Sequence, residues 1–68
     1  MKNNIRVERA ILRMTQAQLA ERIGVSRQTI NAIEAAKYVP STVLALKMSV
    51  IFGKPVNEFF QLEEDDWK

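Results

Sequence analysis

Apolar residues recur along this chain at helical spacing, in blocks separated by turn-forming residues, and the blocks predict five helices. The first runs from about Asn4 to Arg13, with Ile5, Ile11 and Leu12 as its apolar positions. A second, from about Gln16 to Ile23, carries Leu19, Ala20 and Ile23 on one stripe, and a third, from about Arg27 to Ala35, carries Ile30 and Ile33. After Lys37-Tyr38-Val39-Pro40, Ser41 stands where it can cap a fourth helix. Val43, Leu44, Leu46, Met48, Val50, Ile51 and Phe52 cover more than one face of that helix, which predicts a central, most buried element stopping at Gly53. Pro55 then opens a short fifth helix, at the first position where proline is favoured, presenting Val56, Phe59 and Phe60. Strand signals are weak, so the expected class is all-α.

The second and third helices carry the most specific signals. Thr15 and Gln18 have the T-x-x-Q spacing of a capping box. Gly24 can take the left-handed conformation that ends a helix, and Ser26 can cap the next one. Ala20 is small where two crossing helices must approach closely. The outward face at the start of the third helix is Arg27, Gln28, Thr29 and Asn31, side chains of the kind that read base edges. Helix, glycine turn and helix form a helix-turn-helix over residues 16–35, and its polar face points to duplex DNA.

Sixty-eight residues allow one domain, and a chain this short buries only about 60% of its unfolded surface. Without cysteine or histidine, neither disulfides nor the usual zinc sites supplement the core, and no cofactor is expected. No segment approaches the roughly 18 apolar residues of a membrane span, and no signal-peptide pattern opens the chain, so a cytoplasmic protein is expected. The net charge of +2 conceals an asymmetry: residues 1–54 carry nine Lys or Arg against three Glu, and residues 55–68 carry Lys68 against five acids. A basic body suits a phosphate backbone. The acidic tail, 63–68, is expected on the far side from DNA or hanging free, with Trp67 as a loose packing residue.

The whole chain resembles a small DNA-binding regulator of the Cro/phage-repressor type, the Xre-like helix-turn-helix family. The likeness rests on T-Q-A-Q-L-A-E-R-I-G-V-S-R-Q-T-I-N-A-I-E at 15–34, K-Y-x-P-S at 37–41, A-L-K at 45–47 and F-G-x-P-x-x-E-F-F at 52–60. The resemblance implies that the third helix enters the major groove with Arg27 and Gln28 as leading base readers. It implies that Gln16 donates to a phosphate, that Ser26, Thr29 and Asn31 lie close to phosphate or base edges, and that Ala32 faces the groove near a thymine methyl. Lys37 and Tyr38 would hold the DNA backbone, and Arg9 and Glu34 would form a structural salt bridge between the first and third helices. Two positions depart from the family pattern. Ala35-Ala36 replaces the common Asn-Gly, so the third helix is expected to run on or end differently, because a left-handed alanine costs roughly 1 kcal/mol. Lys54 also stands where the fifth helix would have a capping residue.

Val56, Phe59, Phe60 and Leu62 crowd a segment, 54–62, too short to bury them all, which predicts a homodimer interface. A two-fold dimer sets two recognition helices about 34 Å apart on a roughly palindromic site. Look-alikes also imply a small two-stranded sheet joining residues 1–4 to 60–63. The expected function is that of a homodimeric transcriptional regulator, a repressor that occludes a promoter. The alternative is a protein-binding module, such as an antitoxin or assembly adaptor, gripping a basic partner with the acidic tail and Trp67. An enzyme is not expected, since the only carboxylate cluster is the Glu63–Asp66 run.

Overall fold

Polar caps and apolar stripes together determine where the helices start and which way they face. The computed structural model describes every residue, Met1–Lys68. Helix α1 spans Ile5–Ile11, α2 spans Gln16–Ile23, α3 spans Arg27–Glu34 and α4 spans Thr42–Phe52. The capping box of α2 is formed in full: the Thr15 hydroxyl accepts from the Gln18 N–H at 3.0 Å, and the Thr15 N–H donates to Gln18 Oε1 at 2.8 Å. Ser26 and Ser41 cap α3 and α4 by accepting from the N–H groups of Thr29 and Leu44 at 3.1 and 3.2 Å.

Each helix ends on a residue in the left-handed region: Arg13 (φ 54), Gly24 (φ 79), Ala36 (φ 59) and Gly53 (φ 65). After α3, the Ala36 N–H bonds the Ile33 carbonyl at 3.0 Å and the Lys37 N–H bonds the Ala32 carbonyl at 2.9 Å. That pair of bonds is the Schellman arrangement. The expectation that alanine at this point makes the helix run on or end differently is therefore corrected: it ends on a left-handed residue all the same. The helix stops at Glu34, and Ala36 adopts the strained conformation because the Ala32 and Ile33 carbonyls each gain an N–H donor by it.

The core is one cluster: Ile5 from α1, Leu19, Ala20 and Ile23 from α2, Ile30 and Ile33 from α3, Met48 and Phe52 from α4, and the pair Phe59 and Phe60. The Phe52 ring meets Phe59 edge-on with centroids 5.0 Å apart, and Phe60 lies 5.2 Å beyond. Two strands close the molecule. β1 (Lys2–Asn3) pairs antiparallel with β2 (Phe60–Gln61), placing Lys2 opposite Gln61 and Asn3 opposite Phe60.

A fifth α-helix does not form. After Pro55 there is a single 3₁₀ turn, Val56–Glu58, without a side-chain cap. The chain cannot coil further because its next backbone groups belong to the N-terminus. The Phe59 carbonyl accepts from the Asn4 N–H at 2.9 Å, and Phe60 already lies in β2. Phe59 and Phe60 are consequently buried inside the single chain, 0% and 6% exposed, instead of being presented on a terminal helix. Of the four residues expected at a dimer interface, only Leu62 is exposed, and Val56 is half-buried.

Helix α4 is also less buried than its composition predicts. Met48 and Phe52 are buried, whereas Val43, Leu46 and Val50 face outward at 61%, 56% and 81% exposure. One side of this helix reaches the core and nothing in the chain covers the other.

Three ion pairs bind the periphery. Lys54 Nζ lies 2.9 Å from Glu8, a buried carboxylate of α1. The Met1 amino group lies 3.0 Å from Glu63 and 3.2 Å from Asp66, and those hydrogen bonds raise the ammonium pKa above its ordinary value of 8.0. The tail therefore does not hang free: Glu64–Trp67 form a 3₁₀ turn held against the first residue, with Trp67 exposed.

The strain at Ala36 is open to measurement. Ala36→Gly is expected to stabilise the fold by roughly 0.5–1 kcal/mol, the left-handed penalty less the extra chain entropy of glycine. Urea unfolding at neutral pH measures it, and an unchanged or lower stability would show that Ala36 is not strained.

Candidate nucleic-acid interface

The recognition surface is built from how α3 is held. Its inner face is fixed by Ile30 and Ile33, both at most 1% exposed. Its N-terminal end is fixed by Ser26, whose hydroxyl also lies 3.0 Å from the Thr29 hydroxyl. Its C-terminal end is fixed by Glu34, with a side chain only 2% exposed. A carboxylate at that end of a helix is disfavoured by the helix dipole as well as by burial. Four contacts compensate. Arg9 donates through Nε at 2.6 Å and Nη2 at 3.0 Å, Gln16 Nε2 donates at 3.2 Å, and Arg6 Nε lies 3.7 Å away. Burial alone would raise the Glu34 pKa. The hydrogen bonds from Arg9 and Gln16, and the charges of Arg9 and Arg6, outweigh it and hold the carboxyl below its ordinary value. The same bond to Glu34 raises Arg9 against the opposing effect of burial.

Arg9 reaches further. Its Nη1 donates to the Met14 carbonyl at 2.9 Å, fixing the turn that leads into α2. Asn3 of β1 donates from Nδ2 to the Ile33 carbonyl at 2.8 Å, and Lys47 of α4 donates to the Ile23 carbonyl at 3.2 Å. The last two of these bonds are to carbonyls at the C-termini of α3 and α2. The two crossing helices are thus clamped at both of their C-terminal ends by other parts of the chain.

The residues expected to read DNA fall into two groups in this frame. Arg27, Gln28 and Asn31 are exposed on α3, and Lys37 and Tyr38 are exposed in the loop beyond it. None of these five side chains is engaged in a hydrogen bond or salt bridge within the chain, so their donors are free for a ligand. The second group is already engaged or covered. Ser26 and Thr29 have their hydroxyls turned toward each other, Ala32 is half-buried, and the Gln16 amide is directed at Glu34. Gln16 therefore combines two roles: it holds the carboxylate, and its second amide hydrogen remains available at the start of α2.

Asn3 and Arg6 escaped the sequence reading. Asn3 lies 30 positions from the carbonyl it binds, and no periodicity links them. Arg6 had a weak signal, since it stands one position outside the apolar stripe of α1 and three before Arg9.

Acid should loosen this clamp. A group whose pKa is lowered by folding contributes stability that is complete above its unfolded value, here about 4.5, and lost as pH falls through the folded value. Glu34→Gln is expected to be less stable than the wild type at neutral pH, with the two unfolding curves converging as pH falls below about 4.5. Thermal melts across that range test it. A constant gap between the two proteins would place the acid sensitivity elsewhere.

Comparison with known proteins agrees with this architecture. Residues 5–59 match the helix-turn-helix family, from the start of α1 to the buried Phe59. An uncharacterized HTH-type transcriptional regulator of Methanocaldococcus jannaschii is 47% identical over 66 residues, covering 97% of this chain and all of that protein. The uncharacterized HTH-type transcriptional regulator YgzD of Bacillus subtilis is 44% identical over 66 residues, covering 97% of this chain and all of YgzD. A further uncharacterized HTH-type transcriptional regulator, from Methanothermobacter thermautotrophicus, is 44% identical over 69 residues and spans both chains completely. A capped helix-glycine-helix with a free polar edge, matched over four-fifths of its length and in whole-length relatives, leaves one assignment: the chain belongs to the Xre-like, Cro/C1-type helix-turn-helix family.

Proposed function

We propose that the protein is a sequence-specific, duplex-DNA-binding transcriptional regulator that acts as a homodimer and represses by occluding a promoter. The observation that carries this reading is the free edge of α3: Arg27, Gln28 and Asn31 stand exposed and without intramolecular partners on a helix clamped at both ends. A helix held in that way has little backbone freedom left to lose on binding, and the free donors it presents match base edges. Arginine pairs bidentately with guanine, and glutamine or asparagine with adenine. Lys37 and Tyr38 extend the edge toward the phosphate backbone. Gln16 contributes its remaining amide hydrogen to a phosphate on the other flank, while Ser26 and Thr29 support the edge and Ala32 offers a methyl to thymine. The reading places the protein in the cytoplasm with the DNA. No helix is long and apolar enough to cross a membrane.

The alternative, a protein-binding module that grips a basic partner through its acidic tail, draws less support. Glu63 and Asp66 are already paired with the Met1 amino group, so the tail is partly neutralised by its own chain.

A gel-shift or footprint over the gene's own upstream region tests the regulator reading. Protection of two half-sites centred about one DNA turn apart is expected, and no retardation of any duplex at low salt would refute it. Within a recognised site, Arg27→Ala should cost roughly 1–3 kcal/mol and relax specificity at one base pair, whereas Lys37→Ala should weaken all sequences alike and reduce the salt slope by about one. An equal loss on all sequences for Arg27→Ala would move that residue from base reading to phosphate contact.

A further inference from the structure

Only one hydrogen bond from a distant segment reaches the backbone of α3. Asn3 donates it, from Nδ2 to the Ile33 carbonyl at 2.8 Å, and the Ala36 N–H shares that carbonyl at 3.0 Å. The Asn3 Oδ1 is engaged as well, accepting from the Ile5 N–H at 3.3 Å. The Asn3 backbone lies in β1 opposite Phe60, and the next N–H, of Asn4, bonds the Phe59 carbonyl at 2.9 Å. This residue therefore ties the terminal sheet and the start of α1 to the end of α3.

The other restraints on α3 leave its C-terminal end freer than its start. The N-terminal end follows α2 across the short turn of Gly24 and Val25. Arg9 and Gln16 grip Glu34 through its carboxylate, which stands on a flexible stem. Ile30 and Ile33 hold the helix to the core by contacts without direction, which resist lifting better than sliding. A bond to a main-chain carbonyl has neither kind of slack, because the carbonyl is part of the rigid helix. It also holds the point from which the chain leaves for Lys37 and Tyr38.

We propose that Asn3 is a positioning residue for base reading: through the Ile33 carbonyl it sets the place of the C-terminal half of α3, and with it Asn31, against the DNA. The proposal rests on the DNA-binding reading above. Phosphate contacts from long, flexible cations tolerate a displaced helix. Base-edge hydrogen bonds do not, because their distance and direction are what discriminate between bases. A helix rises about 1.5 Å per residue, so Asn31 lies about 3 Å along the axis from Ile33, and Arg27 about 9 Å. Loss of the Asn3 bond therefore displaces the end of α3 more than its start, and Asn31 more than Arg27.

Asn3→Ser isolates this bond, because a serine hydroxyl still accepts from the N–H two residues on but is too short to reach Ile33. Ser49→Ala is the control: it removes a bond of the same kind, from Ser49 Oγ to the Lys54 carbonyl at 2.5 Å, beyond the end of α4. Affinities of the full chain are measured for a duplex carrying the footprinted site and for one of unrelated sequence, at a temperature where both variants are folded. Asn3→Ser is expected to weaken the specific duplex about tenfold, the worth of one base-edge contact, and the unrelated duplex less than about twofold. The discrimination should be lost chiefly at the base pair that Asn31→Ala also ceases to read. Ser49→Ala should lower the melting temperature and leave the ratio of the two affinities unchanged. Equal losses on both duplexes for Asn3→Ser, or a ratio that falls equally in both variants, would overturn the positioning role. Asn3→Asp stands in if Asn3→Ser does not fold: it keeps the acceptor for Ile5 and loses the donor to Ile33, and its added charge weakens both duplexes alike and cancels in the ratio. A wild-type chain that binds no duplex at low salt overturns the DNA reading itself. A wild-type chain that discriminates no better than Asn3→Ser and Asn3→Asp overturns only the part assigned to Asn3.

Discussion

Glu34 is a carboxylate placed where both burial and the helix dipole oppose it, and the arrangement of three helices follows from accommodating it. Arg9 comes from α1 and Gln16 from the first turn of α2, and both reach the carboxylate at the C-terminal end of α3. A buried charge that loses its partner is far more costly than the pair is favourable. The contact therefore acts less as a source of stability than as a specification: crossings of α1, α2 and α3 that separate Arg9 from Glu34 are excluded. The apolar core, made of ten interchangeable hydrophobes, supplies the drive to collapse but much less of this geometric discrimination.

That specification also separates the molecule's surfaces by chemistry. The polar edge of α3 is held outward because its apolar face and its last carboxylate are both engaged on the inside. The uncharged side of α4 faces outward because the core is already filled by Met48 and Phe52. The acidic end of the chain is collected at the amino terminus, where Met1 offsets part of it. A net charge of +2 thus describes three regions of different character more than it describes a mean surface.

Much of this was legible in the sequence because it depends on local spacing. Thr15 with Gln18, Ser26, Ser41, Gly24 and Gly53 each act within four residues, and each of them forms the cap or turn its type predicts. The apolar stripes of α2 and α3 were readable for the same reason. What the spacing could not convey was competition between distant segments. Phe59 and Phe60 read as a helical pair until the N-terminal strand is available to bond with them, and the resemblance to known regulators pointed to that strand where periodicity could not. Val43, Leu46 and Val50 read as core because hydrophobicity does not reveal how much core remains to be filled. Ala36 shows the converse: intrinsic preference argued against a left-handed alanine, and two backbone hydrogen bonds overrode it.

The pairing of β1 with β2 has a kinetic side. The contacts within the helix-turn-helix span a few turns of chain, whereas the strand pair, and the Met1 contacts with Glu63 and Asp66 beside it, join residues that are almost the whole length of the molecule apart. Closing so long a loop is slow relative to local helix docking, since its entropy is lost before any contact compensates for it. The helix pair can therefore assemble early, while Asn3, which binds the end of α3, arrives only when the termini meet. Opening of the ends would likewise reach the recognition helix through that one amide, so the least local part of the fold contributes one of the bonds that hold α3.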